Sequence, residues 1–187
     1  RSYDMLWSAS LDALGGDWTP RGSSPTIATL SGIIGGGVKL QVALVSVVQR
    51  VPNGHAVGYV RCYNATFDPR VLAAVPANDT GGNPLPANWR TPGALLWQRT
   101  IDSYDGADAT ANGQVIELTT PTVAEDYVYV LASEVDEDAD GTAGVTNQDA
   151  YGRAHCFKLN YRWDLDQDGP QWDYPDATTN PNGDSDV

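Results

Sequence analysis

The chain states one pattern twice, and an internal repeat constrains architecture more than any single element does. The first copy runs Trp7, then Ser24-Pro25-Thr26-Ile27-Ala28, then Gly58-Tyr59-Val60-Arg61-Cys62-Tyr63. The second runs Trp97, then Thr120-Pro121-Thr122-Val123-Ala124, then Gly152-Arg153-Ala154-His155-Cys156-Phe157. The offsets are 90 residues between the tryptophans, 96 between the prolines and 94 between the cysteines. A third start is expected at Trp163. The pattern divides the chain into a first repeat over 1–94, a second over 95–163 and an acidic tail over 164–187. The alternative is that all three form one compact domain.

Each repeat reads as β-structure. Among 187 residues there are 19 Gly and 12 Pro, and no long run has helical period, which favours short strands joined by turns. Strands are predicted at 5–11, 24–30, 38–48, 56–63, 95–101, 115–118, 122–124, 127–133 and 153–159. Val38–Val48 alternates Val and Leu with Lys39 and Gln41, as a half-buried strand does. Tyr127–Ser133 alternates aromatic and aliphatic residues. One helical turn or two is expected at Pro69–Val75. The fold class is therefore all-β, built from two antiparallel units.

The order of the pieces resembles the blades of the quinoprotein-type (PQQ-like) β-propeller. The residues that carry the likeness are Leu95-Leu96-Trp97-Gln98-Arg99-Thr100, Thr120-Pro121-Thr122-Val123-Ala124, Tyr127-Val128-Tyr129-Val130 and His155-Cys156-Phe157-Lys158. The resemblance implies that the tryptophan of the outer strand packs between neighbouring blades, where a large ring buries much area. Propellers close with about four to eight blades, and this chain holds two. Two blades leave open sheet edges, which invite pairing with other chains. An unclosed propeller, a β-sandwich-like packing of the two units and coverage by other subunits all remain open. The chain begins at Arg1, which leads us to expect a removed signal or a longer precursor.

The net charge is −13 and unevenly placed. Residues 134–187 hold 13 acids against three bases. Nucleic acid is an unsuitable partner for such a chain, because phosphate binding requires a basic face. No apolar stretch reaches membrane-span length. Asp136-Glu137-Asp138-Ala139-Asp140-Gly141 and Asp164-Leu165-Asp166-Gln167-Asp168-Gly169 both spell D-x-D-x-D-G. Alternate aspartates on a tight loop converge on one hard cation, and glycine permits the turn. The expected calcium ligands are Asp136, Asp138 and Asp140 in the first loop and Asp164, Asp166, Asp168 and Asp173 at the second. Neither is an EF-hand, since the twelfth positions are Asn147 and Pro175. The second loop resembles the calcium loops of integrin-type blades and of dockerin-like repeats, in which the last aspartate would fall at Trp172 instead of Asp173.

No nucleophile elbow, zinc-protease motif, phosphate loop or dinucleotide fingerprint is present in the sequence. His55 reads as a turn residue and His155 as a packed one. Cys62 and Cys156 occupy equivalent positions. A bond between them requires Cα atoms within about 7 Å, so a disulfide would mean units packed face to face, whereas two buried thiols would mean a propeller-like fan. Asn64 and Asn78 begin glycosylation tripeptides. These features favour a non-catalytic, secreted structural subunit, stabilised by calcium, that assembles with copies of itself into an extracellular filament or surface layer. Two other readings stand beside it. One is a carbohydrate- or protein-binding module of a larger propeller protein, with Trp18, Trp89 or Trp172 stacking on sugars. The other is a fragment of a quinoprotein-type enzyme.

Overall fold

A computed structural model describes residues 21–50, 56–101, 114–136, 149–165 and 171–174. The chain is all-β; among the described residues there are two antiparallel sheets and no closed barrel. The first sheet holds β1 (Arg21–Gly22), β2 (Thr26–Leu30), β3 (Leu40–Arg50), β4 (Ala56–Asn64) and β5 (Leu95–Ile101). β3, β4 and β5 are neighbours in that order, and β1 and β2 both pair with β3. They form one edge strand broken at Ser23–Pro25. The second sheet repeats this plan. β6 (Gln114–Leu118) and β7 (Thr122–Ala124) share the edge of β8 (Tyr127–Asp136), followed by β9 (Asp149–Lys158) and β10 (Gln171–Tyr174). The break between β6 and β7 contains Pro121, the repeat-mate of Pro25. Proline cannot donate to a ladder, so it suits an edge and a gap.

The register defines the repeat more sharply than sequence spacing does. Cys62 lies opposite Leu44 on one side and Trp97 on the other. Cys156 lies opposite Tyr129 and Trp172. Trp97 therefore matches Trp172, and the first unit runs through Ile101 instead of ending at 94. β10, inside the expected acidic tail, is the fourth strand of the second sheet. Trp163 begins no third unit. It is fully buried after β9, and its indole nitrogen donates to the Lys158 carbonyl at 2.7 Å. The helix forms at Pro69–Ala74, with Asp68 accepting from the Arg70 amide and Pro69 in the first turn, where proline's missing N–H is harmless. The strand expected at 5–11 lies outside the described residues.

One hydrophobic core joins the sheets. The first sheet contributes Val42, Leu44, Val60, Cys62 and Trp97; the second contributes Val128, Val130, Ala132 and Phe157. Phe157 meets Trp97 edge-on at 6.2 Å and Trp163 edge-on at 5.8 Å, the geometry that ring quadrupoles favour. β6 crosses β3 and β4, and Gly58 allows the approach. A Cβ there would stand 3.0 Å from Leu118 Cδ1 and 3.1 Å from Val115 Cγ1.

Residues paired directly across strands share a face. Leu44 and Cys62 face the second sheet. Their mates Tyr129 and Cys156 face away from the first. The sheets thus stack head to tail: the cysteine face of one unit meets the opposite face of the next. This is not a sandwich in which equivalent faces meet.

Candidate functional site

Among the described residues, three polar ties fasten the units along their junction. Thr26 Oγ1 donates to the Pro121 carbonyl at 2.5 Å, so the two Pro-Thr motifs touch. The Ser31 amide donates to Asn160 Oδ1 at 3.0 Å. The strongest tie is Arg162. Its Nη1 donates to Asp79 Oδ2 at 2.7 Å, and its Nε and Nη2 grip both oxygens of Asp164, each at 2.7 Å. Nη2 also reaches the Pro84 carbonyl, and the guanidinium lies over the Trp89 ring at 5.4 Å. A planar fork against a carboxylate and an aromatic face is the use to which arginine, and not lysine, is suited.

Asp79 is delivered by a turn in the long β4–β5 connection. Its Oδ1 accepts from the amides of Gly81 and Asn83 at 2.9 and 2.8 Å, and Gly82 adopts φ 86°, where glycine is at ease. Desolvation opposes the charged form of Asp79. Hydrogen bonds from Asn83 and the Arg162 charge outweigh it and hold the carboxyl below its usual range. The hydrogen bonds that Arg162 donates to Asp164 raise its pKa. The site sits beside a cleft of about 350 Å³ that includes Ile33, Asn160, Tyr161 and Leu165. Chemically it is a charge clamp whose donors are occupied by protein oxygens.

The expected residues fall as follows. Asp164 is engaged at both oxygens by Arg162, which assigns it to the junction. Asp136 ends β8 and Asp173 lies in β10, each described by its backbone. Asp138, Asp140, Asp166, Asp168, His55 and Trp18 lie outside the described residues. Among those described, no group of three His, Cys, Asp or Glu is placed to hold a metal. No disulfide links Cys62 and Cys156; both are buried thiols, the arrangement that belongs with a fan. Burial pushes the Cys62 thiol well up. Asn64 must be corrected as a glycosylation candidate. It is fully buried, its Nδ2 donates to the Trp89 carbonyl at 3.0 Å, and its Oδ1 accepts from the Thr66 amide. A glycan on that nitrogen is incompatible with the fold. Asn78 is exposed. Trp89 is fully buried and therefore cannot stack on a sugar. His155 is buried. Its repeat-mate is Arg61, also buried, which donates to Gln98 at 2.8 Å and Gln49 at 3.2 Å.

Sequence reasoning missed Arg162 and Asp79. The available signal was turn chemistry: Asp79-Thr80-Gly81-Gly82-Asn83 is the composition of a tight Asx-type turn.

The second feature is the outward face of the second sheet. On β8, Val128, Val130 and Ala132 are buried, whereas Tyr127, Tyr129 and Leu131 are 36%, 40% and 57% exposed. No described helix is long and apolar enough to cross a membrane. Comparison of the chain with protein-family models, curated proteins and solved structures finds no match.

Proposed function

We propose that the protein is a non-catalytic structural subunit, exported from the cell, that assembles with copies of itself into a filament or surface layer. The observation that carries this reading is the head-to-tail stacking of its two units. A contact between unlike faces does not consume itself, and such contacts generate rings or open filaments; here the end face of the second sheet is open, whereas on the first sheet Val45, Val47, Tyr59 and Tyr63 are already buried and Ile27 stays exposed. The apolar residues of β8 at the open end fit this role, since exposed apolar patches mark interaction surfaces.

The acidic loops supply the second part of the proposal. Asp136, Asp138 and Asp140 form one calcium site. In the other loop Asp164 serves Arg162, so Asp166 and Asp168, with Asp173, carry the cation. At net charge −13, copies repel one another, and bound divalent cations reduce that repulsion.

Light scattering and electron microscopy with and without calcium test the reading. Assemblies that grow with protein concentration and shrink on chelation are expected. A monomer at every concentration, in calcium and in chelator alike, refutes it.

A further inference from the structure

We infer that the outward face of the second sheet, centred on Tyr129, Leu131 and Gly152, is the seat for the broken edge strand, β1 and β2, of a second copy of this chain. The inference rests on the self-assembly reading above and names the two surfaces involved.

The repeat shows what each position is for. Gly58 and Gly152 are mates by sequence offset and by register: Gly58 lies opposite Val48 in β3, and Gly152 lies opposite Ser133 at the matching place in β8. At Gly58 the reason for glycine is visible, because β6 of the next unit presses Val115 and Leu118 onto it. At Gly152 nothing among the described residues lies within 4 Å of an added Cβ, and no positive φ calls for glycine. A glycine inside a strand weakens it and commonly marks a close approach by another backbone. Among the described residues Gly152 has the cost of that device without its use, and the mate of β6 that would meet it in a second copy is β1. The same holds for its neighbours on the face. Leu44 and Val42 are buried by the second sheet, while their mates Tyr129 and Tyr127 are exposed.

The other half of the contact is also open. Val123 of β7 packs against the core between the sheets. Its mate in β2, Ile27, is 61% exposed. Neighbouring units in the chain touch through β2 and β7, where Thr26 donates to the Pro121 carbonyl. In the second copy's contact, β7 of one chain meets β2 of the next, and exposed Thr122 donates to the exposed Pro25 carbonyl. Val45, Val47, Tyr59 and Tyr63, on the same face as Ile27, are already buried in one chain, so the β1–β2 edge carries the contact, with β1 over Gly152 and β2 against β7.

The test is sedimentation velocity on four single variants in calcium. Leu131→Glu and Ile27→Asp each disable one half and are expected to weaken association about tenfold or more. Gly152→Val is expected to weaken association while raising the melting temperature, which separates assembly from folding. Phe67→Glu, an exposed apolar residue elsewhere, is expected to behave as wild type. Mixing decides the geometry. Leu131→Glu and Ile27→Asp chains are each monomeric, yet together they form dimers that stop growing. If the wild type assembles and these variants assemble equally well, the face is wrong while the self-assembly reading stands. If mixing restores nothing, the contact joins like faces and the inference fails. If the wild type never associates, the functional reading itself fails.

Discussion

One substitution, made at two repeat-equivalent positions, should have opposite effects on stability. Gly58→Val places a Cβ 3.0 Å from Leu118 Cδ1, 3.1 Å from Val115 Cγ1 and 3.2 Å from Ile101 Cβ. Leu118 can yield by rotating, but Ile101 Cβ is fixed to a paired strand and cannot. Overpacking of this kind costs about 1–3 kcal/mol, and the two γ-methyls of valine place this case at the upper end. At Gly152 the added Cβ meets no atom of the described residues within 4 Å. Valine there removes the entropy cost of a mid-strand glycine, a gain of about 0.5–1 kcal/mol, and β-branching suits the strand. The two variants should therefore differ by about 2–4 kcal/mol. For a chain of this length that is a separation of roughly 5–15 °C in melting temperature, with the wild type between them. Thermal denaturation followed by circular dichroism, at a concentration where the chain is monomeric, reads it directly. Equal melting temperatures, or a Gly152→Val variant less stable than Gly58→Val, would refute the claim that β6 lies across Gly58 and that its mate is open.

Arg162→Met leaves Asp79 buried without its cation and should cost about 3–5 kcal/mol in urea unfolding; Arg162→Lys should recover little, because an ammonium cannot grip Asp164 with a fork. Because the folded pKa of Asp79 lies below the unfolded value of about 3.9, its contribution is complete above that pH. It is lost as pH falls through the lowered folded value. Asp79→Asn should flatten this acid limb of the stability curve. Cys62, buried and raised in pKa, should resist thiol-labelling reagents in the native chain and react on unfolding; labelling at the rate of a free thiol would contradict its burial.

Much of the fold was legible because strands with one buried face carry their own period. The predicted limits of β5 and β7 coincide with the observed ones, and the Pro-Thr motifs mark the breaks in both edge strands. The frame of the repeat was not legible. Trp7, Trp97 and Trp172 all precede or follow a Pro-Thr motif at plausible spacing, and a linear pattern has no intrinsic start. Hydrogen bonding to the cysteine strand chooses Trp172 as the mate of Trp97. β10 was hidden because Gln171–Tyr174 is four residues long and lies among aspartates and prolines. Asn64 carried an acceptor tripeptide, but such a motif is silent about burial. Arg162 pairs with Asp79 at 83 residues' separation, beyond any local pattern. The D-x-D-x-D-G pattern that marks Asp164 as a cation ligand is silent about the arginine that it meets.

The gaps at Pro25 and Pro121 bear on how copies of this chain can join. Each interrupts one outer ladder of its sheet, so that edge offers no unbroken row of donors and acceptors to a stranger's strand. Widening a sheet in its own plane, the route by which β-proteins pass into cross-β fibres, is obstructed on that side and is left to the opposite edges, β5 and β10. If copies join as proposed, the prolines turn the joint away from these two edges, and a material built that way would lengthen by side-chain fit instead of by added backbone ladders.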